Sequence, residues 1–153
     1  MNQTEQRPSQ VTVTLATETD LGEVLALENR FLTAVEESPL NREQWERLAE
    51  AIRQERITFF LARLEGQAVG ICSVSPCFST FDCRSSGVFD DFYVEPAFRH
   101  QSVARALAEA ARGWCMYRGM VSLTVGCSPG DVGMYRALGF ETSLGMMLAQ
   151  NLP

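Results

Sequence analysis

The sequence predicts a single domain of the α/β or α+β class, in which helices cover a mixed sheet. Apolar residues recur with helical spacing in four segments, and six further segments have the residue types and alternation of strands. The predicted order is β-α-α-β-β-β-α-β-α-β, with consecutive strands in the middle and alternation at the end. A length of 153 residues suits one domain. We expect a tail at residues 1–10 and the domain at residues 11–153.

The first half of the chain predicts a strand, two helices and a hairpin. Residues 11–16 alternate apolar residues with threonine, as a half-buried strand does. Thr19 and Asp20 then cap a first helix, and Asn41 caps a second helix at residues 42–54. The β-rich runs 57–64 and 68–74 flank a turn at residues 65–67.

The second half predicts a loop followed by strands that alternate with helices. The loop covers residues 76–87, and Pro96 ends the strand that follows it. Gly119 and Gly139 end two helices. The strands are expected at residues 88–95 and 121–127, the helices at 102–118 and 131–138, and one or two last strands at 140–152.

Composition and charge exclude several classes of protein. Hydrophobic residues make up 46% and charged residues 21%, which excludes disorder as the main state. The net charge of −6 leaves no basic surface that could bind nucleic acid, so we expect no nucleic-acid partner. The excess of acidic residues mildly favours a cationic substrate. No segment reads as a signal peptide or is apolar enough to span a bilayer, so we expect no membrane partner.

The cysteines form an odd set of five, without a CxxC pair, and His100 is the single histidine. A zinc site needs close pairs of such ligands, so we expect no metal. We expect reduced, mostly buried thiols in a cytoplasmic protein.

A candidate anion site lies where the strand at 88–95 leads into the helix at 102–118. A tight turn into a helix presents free backbone N–H groups and the positive end of the helix dipole. Arg99 and Arg105 add positive charge there to an otherwise acidic chain. The sequence therefore predicts a phosphorylated ligand at this turn.

The same region resembles the GNAT acetyltransferase superfamily. Residues 99–104, Arg-His-Gln-Ser-Val-Ala, match its cofactor motif, and Val94-Glu95-Pro96 match the end of its preceding strand. Tyr135 and the pair Gly139-Phe140 match its last motif, while residues 77–94 are loosely similar to the diamine, or spermidine, branch. Three positions depart from the family pattern: Ser102 replaces a glycine, His100 replaces a usually small or basic residue, and Ser128 replaces a frequent asparagine. Together these departures are expected to weaken acetyl-CoA binding.

The resemblance implies a mostly antiparallel, twisted sheet with helices on both faces, and acetyl-CoA as co-substrate. It implies that Tyr135 protonates the coenzyme thiolate and that Asp90 is the base or the amine binder, with Asp91 second. The acceptor is then a small primary amine, for which a polyamine or an amino-acid-like compound is a candidate, and a homodimer is expected by analogy. The implied cofactor contacts are Phe92, Tyr93, Val94, Arg99, His100, Gln101, Ser102, Val103, Ala104, Arg105 and Ser128.

Simple chemistry adds constraints and leaves alternatives open. The amine must be neutral to attack, so a carboxylate is needed to take its proton. Strand alternation puts Asp90 and Asp91 on opposite faces, so only one is expected to face a given pocket. Glu28 and Glu36 could add negative charge, but no pattern fixes their direction. The alternatives are a non-catalytic acyl-CoA sensor on the same fold and an unrelated nucleotide-binding domain.

Overall fold

A five-stranded sheet forms the centre of this computed structural model, which describes residues 10–153. The strands lie side by side in chain order, the first four antiparallel to their neighbours and the last parallel to the fourth. The strands are β1 (Val11–Leu15), β2 (Thr58–Leu64), β3 (Gln67–Ser79), β4 (Arg84–Val94) and β5 (Leu123–Val125). The tail predicted for residues 1–10 lies outside the described residues, apart from its last residue.

Helices cover both faces of the sheet, which confirms the predicted fold class. The helices are α1 (Leu21–Ala34), α2 (Arg42–Arg53), α3 (Val103–Tyr117) and α4 (Val132–Ala137). The start of α2 is determined by hydrogen bonds between residues that are close in sequence. Asn41 Oδ1 accepts the Gln44 N–H at 2.9 Å, and Gln44 Oε1 accepts the Asn41 N–H at 2.9 Å. This reciprocal cap satisfies two N–H groups that a helix start leaves free.

The core has two parts, one on each face of the sheet. On the α3 face, Leu107 and Ala111 are fully buried against Phe60 and Phe89. On the other face, the α1 residues Val24 and Leu27 pack against β2 and β3. The two residues named in each helix are three or four positions apart, which places them on one face of that helix. The site described below therefore lies on a rigid sheet held from both sides.

The long β3–β4 hairpin corrects the loop predicted at residues 76–87. Strand pairing continues outward to Ser79↔Arg84, so only residues 80–83 form the turn. The serines, glycine and Pro76 in this stretch predicted a loop. Pro76 is tolerated because β2 stops pairing with β3 at Val74, so β3 has a free edge at the proline.

The end of the sheet also differs from the prediction. β5 is three residues long instead of seven, and residues 141–153 form no strand. A strand needs a neighbouring backbone to pair with, and these residues lie exposed without pairing to β5. Met147 nevertheless touches the end of β5, since a Cβ added to Gly126 would lie 2.7 Å from its Sδ.

The thiols are less buried than expected. Cys72 and Cys115 are buried, whereas Cys77, Cys83 and Cys127 are exposed on the outer hairpin and after β5. Over residues 10–153, none of the helices combines the length and apolar character needed to cross a membrane.

Candidate active site

A gap lies beside β4, beyond the point where its pairing with the parallel strand β5 ends. The two strands pair at three positions, and the last is Phe89↔Val125. Beyond Phe89, the backbone of β4 has no strand partner on that side among the described residues. Its free N–H and C=O groups can therefore bind a ligand that lies along the strand. Phe92, Tyr93 and Val94, for which the resemblance implies contacts to the coenzyme arm, lie in this unpaired part of β4.

A β-bulge interrupts β4 at the same place. Here β4 places two residues, Asp91 and Phe92, opposite the single residue Cys72 of β3. Asp91 has a φ of 50°, in the left-handed region that residues with a side chain rarely adopt. The bulge shifts the direction of every side chain that follows it along the strand.

The bulge puts both aspartates on one face of the sheet, so the expectation of opposite faces is wrong. Asp90 pairs in register with Ser73, and paired residues share a face. The Ser73 hydroxyl donates to Asp91 Oδ2 at 2.5 Å, which places Asp91 on that face as well. Strict alternation fails because the bulge adds one residue. Both carboxyl groups therefore face α1.

Glu28 completes a cluster of three acidic side chains. It lies on α1, is only 6% exposed, and is near enough to Asp91 for the two carboxyl groups to shift each other's pKa. Burial, followed by the negative charges of Asp91 and Asp90, raises the pKa of Glu28 to about 8. Burial also raises the pKa of Asp91. Glu36, the other acid considered on the sequence, is exposed beyond the end of α1.

The motif at residues 99–104 forms the turn into α3. His100 and Ser102 both have a φ of 64°, and Ser102 caps the helix without a side-chain hydrogen bond. Its hydroxyl is therefore free to donate to a ligand. The first N–H groups of α3, from Val103 to Arg105, have no partner within the helix, and they carry the positive end of its dipole. This turn can bind an anion.

The charged and polar side chains near this turn differ in whether hydrogen bonds within the protein hold them in place. Arg99 Nε donates to the carbonyl oxygen of Val94 at 3.1 Å, which holds this arginine against the end of β4. Gln101 Nε2 donates to the carbonyl oxygen of Ala97 at 3.2 Å. Arg105 is exposed on the first turn of α3. The Ser128 hydroxyl donates to Asp131 Oδ2 at 2.7 Å, so a contact of this hydroxyl with the cofactor would have to displace or share that bond.

Replacing Ser102 with glycine is expected to stabilise the protein and to tighten acetyl-CoA binding. Glycine removes the strain that a side chain causes at a left-handed φ, but it also increases the conformational freedom of the unfolded chain. Because the first effect is larger, the free energy of unfolding is expected to rise by about 1 kcal/mol. It also lets an anion approach the backbone more closely. Thermal unfolding and calorimetric titration with acetyl-CoA measure both effects. The control is Ser143→Gly, at an exposed position with negative φ. Weaker binding by Ser102→Gly would show that the hydroxyl is itself a ligand.

Tyr135 lies on α4 and packs against the core cluster on the α3 face of the sheet. Its ring packs on Phe92 at 6.1 Å and edge-on to Phe140 at 5.8 Å between centroids. Burial, followed by electrostatic repulsion from Asp131, Cys127 and Asp90, raises the pKa of Tyr135 to about 12. The hydroxyl therefore keeps its proton at neutral pH and can serve as an acid.

The sequence left the direction of Glu28 open, although one signal could have indicated it. Glu28 lies four residues after Val24 and one after Leu27, and both of these are buried. The helical period therefore puts this acid on the buried face of α1. The bulge at Asp91 had no comparable signal, since it depends on the pairing of β3 with β4.

The fold is that of an α/β domain in which the pairing of two neighbouring parallel strands, β4 and β5, stops and leaves the rest of β4 without a partner on that side. A family model described as the acetyltransferase (GNAT) family matches residues 21–140. The chain therefore belongs to the GNAT acetyltransferase family, as its motifs predicted. No curated protein matches the sequence.

Several solved structures share the fold. An aminoglycoside acetyltransferase from an uncultured soil metagenomic sample, in complex with trehalose, is 17% identical with a TM-score of 0.82, over 94% of this chain and 96% of that chain. AAC(6')-Iy with a bisubstrate analogue is 20% identical with a TM-score of 0.79, over 95% and 100%. A protein of Clostridium acetobutylicum described as a predicted acetyltransferase, in complex with acetyl-CoA, is 14% identical with a TM-score of 0.76, over 92% of this chain and 96% of that chain. At these identities the similarity establishes the fold.

Proposed function

We propose that the protein is an N-acetyltransferase that moves the acetyl group of acetyl-CoA to a primary amine of a small substrate. The transfer is direct, within a complex of enzyme, acetyl-CoA and amine. One observation carries the proposal. The acidic side chains of Glu28, Asp90 and Asp91 lie on the α1 face of the sheet at the bulge of β4, and the protonated Tyr135 packs on Phe92, the residue that follows Asp91 in the same strand. Amine acetylation needs both a site for a cation and an acid for the leaving thiolate.

The coenzyme fits the turn into α3 and the free side of β4. The phosphates would bind the N–H groups of residues 100–105, with Arg99 and Arg105 adding charge. The pantetheine arm would bind the backbone of Phe92, Tyr93 and Val94, which lacks a strand partner there. Acetyl-CoA supplies the thioester, and Tyr135 would protonate the sulfur when the acetyl group leaves.

The acceptor is proposed to be a cationic amine. Asp90 is exposed and can bind an ammonium group from solvent, and two further acids lie on the same face. A polyamine or an amino-acid-like compound has the required charge. The aminoglycoside acetyltransferases with the same fold are named for substrates that also carry several amines. The odd, CxxC-free set of five cysteines supports a cytoplasmic site for this reaction.

An assay of thiol release tests the proposal. Purified protein is incubated with acetyl-CoA and a panel of polyamines, amino acids and aminoglycosides, and free coenzyme thiol is measured over time. The proposal expects release that depends on the amine. Tight binding of acetyl-CoA without turnover across the panel would favour the non-catalytic sensor, and absence of binding would reject both.

We also propose that the chain forms a homodimer. Residues 141–153 expose five large apolar side chains beside β5, whose outer edge has no partner among the described strands. Such a surface favours association. Light scattering is expected to give a dimer for the wild type and a monomer for Leu148→Glu. Thr142→Glu adds the same charge at a polar position as control. A monomeric wild type would contradict the proposal. The five side chains are Leu144, Met146, Met147, Leu148 and Leu152.

A further inference from the structure

The burial of Glu28 requires an explanation that coenzyme binding does not give. This side chain is 6% exposed, and its Oε2 atom has no hydrogen-bond partner among the described residues. A buried polar atom without a partner costs free energy, and a buried unpaired charge costs much more. Arg30, also on α1, forms its ion pair with Glu95. None of the ion pairs among residues 10–153 includes Glu28.

The bulge in β4 turns the carboxyl group of Asp91 towards α1, near Glu28. Ser73, fully buried, donates to Asp91 Oδ2 at 2.5 Å and so fixes the position of that carboxyl group. A hydrogen bond between two carboxyl groups needs a proton, because ionised carboxylates only accept. Burial and the neighbouring negative charges raise the pKa of Glu28, so Glu28 keeps its proton and is the partner that can donate to Asp91.

Asp90 lacks such an arrangement. It is exposed, and its Oδ1 accepts the N–H of Asp91 at 2.9 Å within the bulge. This contact supports the backbone of the bulge and leaves the other oxygen of Asp90 facing solvent. The geometry fits a residue that attracts a cation at the entrance, while Asp91 lies deeper on the same face.

We propose that Asp91 takes the proton from the bound ammonium group and that Glu28 is the positioning residue that orients Asp91 for this step. The inference rests on the proposed acetyltransferase function. It changes the base from Asp90, the first choice on the sequence, to Asp91, and it gives Asp90 the role of amine binder.

The protons and bonds of the step balance. One N–H bond of the ammonium group breaks, and its proton goes to Asp91, so that the pair then carries two protons and no charge. The neutral amine attacks the thioester carbon, the C–S bond breaks, and the second proton of the nitrogen reaches the sulfur through Tyr135. After the product leaves, Asp91 returns its proton to water.

The surroundings favour proton uptake by the pair. Burial raises the pKa of Asp91, and Glu28 keeps its own proton up to a pKa of about 8. The other ionisable group that acts on the pair is Asp90 on β4, whose negative charge raises the pKa of both Glu28 and Asp91 and so favours proton uptake. The buried thiol of Cys72 on β3 has a raised pKa and is therefore neutral at neutral pH.

The test is the pH dependence of kcat/KM for the amine in four variants. Asp91→Asn is expected to lose about 100-fold or more in kcat and the acidic limb of the profile, without a change in acetyl-CoA affinity. Glu28→Gln keeps a donor to Asp91, so it is expected to retain rate near neutral pH and to lose the transition near pH 8. Glu28→Leu removes the donor and is expected to lose about 10-fold or more. Asp90→Asn is expected to raise KM for the amine and to keep the acidic limb.

The outcomes separate this inference from the proposed function. If wild type turns over, and Asp91→Asn keeps both rate and acidic limb while Asp90→Asn loses them, Asp91 is not the base and the inference is wrong. Equal rates for Glu28→Gln and Glu28→Leu would reject the positioning role of Glu28. If wild type binds acetyl-CoA but acetylates no amine, the proposed function fails and the inference fails with it. Glu36→Gln, at an exposed acid beyond α1, is the matched control.

Discussion

Replacing Tyr135 with phenylalanine is expected to lower kcat by about 100-fold or more and to leave acetyl-CoA affinity nearly unchanged. The ring contacts with Phe92 and Phe140 remain, so the fold of α4 is kept. The variant loses only the hydroxyl, whose proton is present at neutral pH because burial raises its pKa to about 12. Without that proton the leaving group is the free thiolate.

Steady-state kinetics and calorimetric titration with acetyl-CoA measure the two effects of Tyr135→Phe separately. Tyr117→Phe is the matched control, because Tyr117 is 88% exposed at the far end of α3. Its kinetics should equal those of wild type. A Tyr135→Phe variant with wild-type kcat would remove Tyr135 from the acid role.

Replacing Glu28 with glutamine is expected to stabilise the protein at alkaline pH by several kcal/mol. The pKa of Glu28 rises from 4.5 in the unfolded chain to about 8 in the fold, which corresponds to about 1.4 kcal/mol per pH unit. Between these values the folded state binds more protons than the unfolded state. Wild-type stability therefore falls as pH rises from about 4.5 to 8, and glutamine removes this loss.

Urea unfolding from pH 4 to pH 9 measures the effect of Glu28→Gln. The two proteins should have similar stability near pH 4, and the variant should gain an increasing advantage up to about pH 8. Glu36→Gln should follow wild type throughout, since Glu36 is exposed. A stability difference between the two proteins that stays constant from pH 4 to pH 9 would contradict the raised pKa of Glu28.

The fold could be predicted from the sequence because its strongest signals are local. The cap at Asn41, the helical spacing in α1 and α3, and the turn at Gly66 depend on neighbouring residues only. Predictions failed where pairing between distant segments decides the structure. Residues 76–87 became strand because each half pairs with the other, and residues 140–152 did not because no edge pairs with them.

In the candidate site too, features with local sequence signals were predicted, and those that depend on contacts between distant segments were not. The turn at residues 99–102 and Tyr135 were identified from contiguous motifs, and the structure places both beside the unpaired part of β4. The acidic cluster was not identified from the sequence, because Glu28 and Asp91 are distant in sequence and come together only through the bulge in β4. Alternation assigns opposite faces to Asp90 and Asp91, and a single extra residue in β4 reverses that assignment.

The central claim is direct acetyl transfer from acetyl-CoA to an amine. A single-turnover reaction with acetyl-CoA labelled in the acetyl group, followed by mass spectrometry of amine and protein, tests it most directly. The expected result is label on the amine nitrogen, none on the protein, and free coenzyme thiol in equal amount. Label on a protein residue such as the exposed Cys127, or bound acetyl-CoA that no amine consumes, would contradict it.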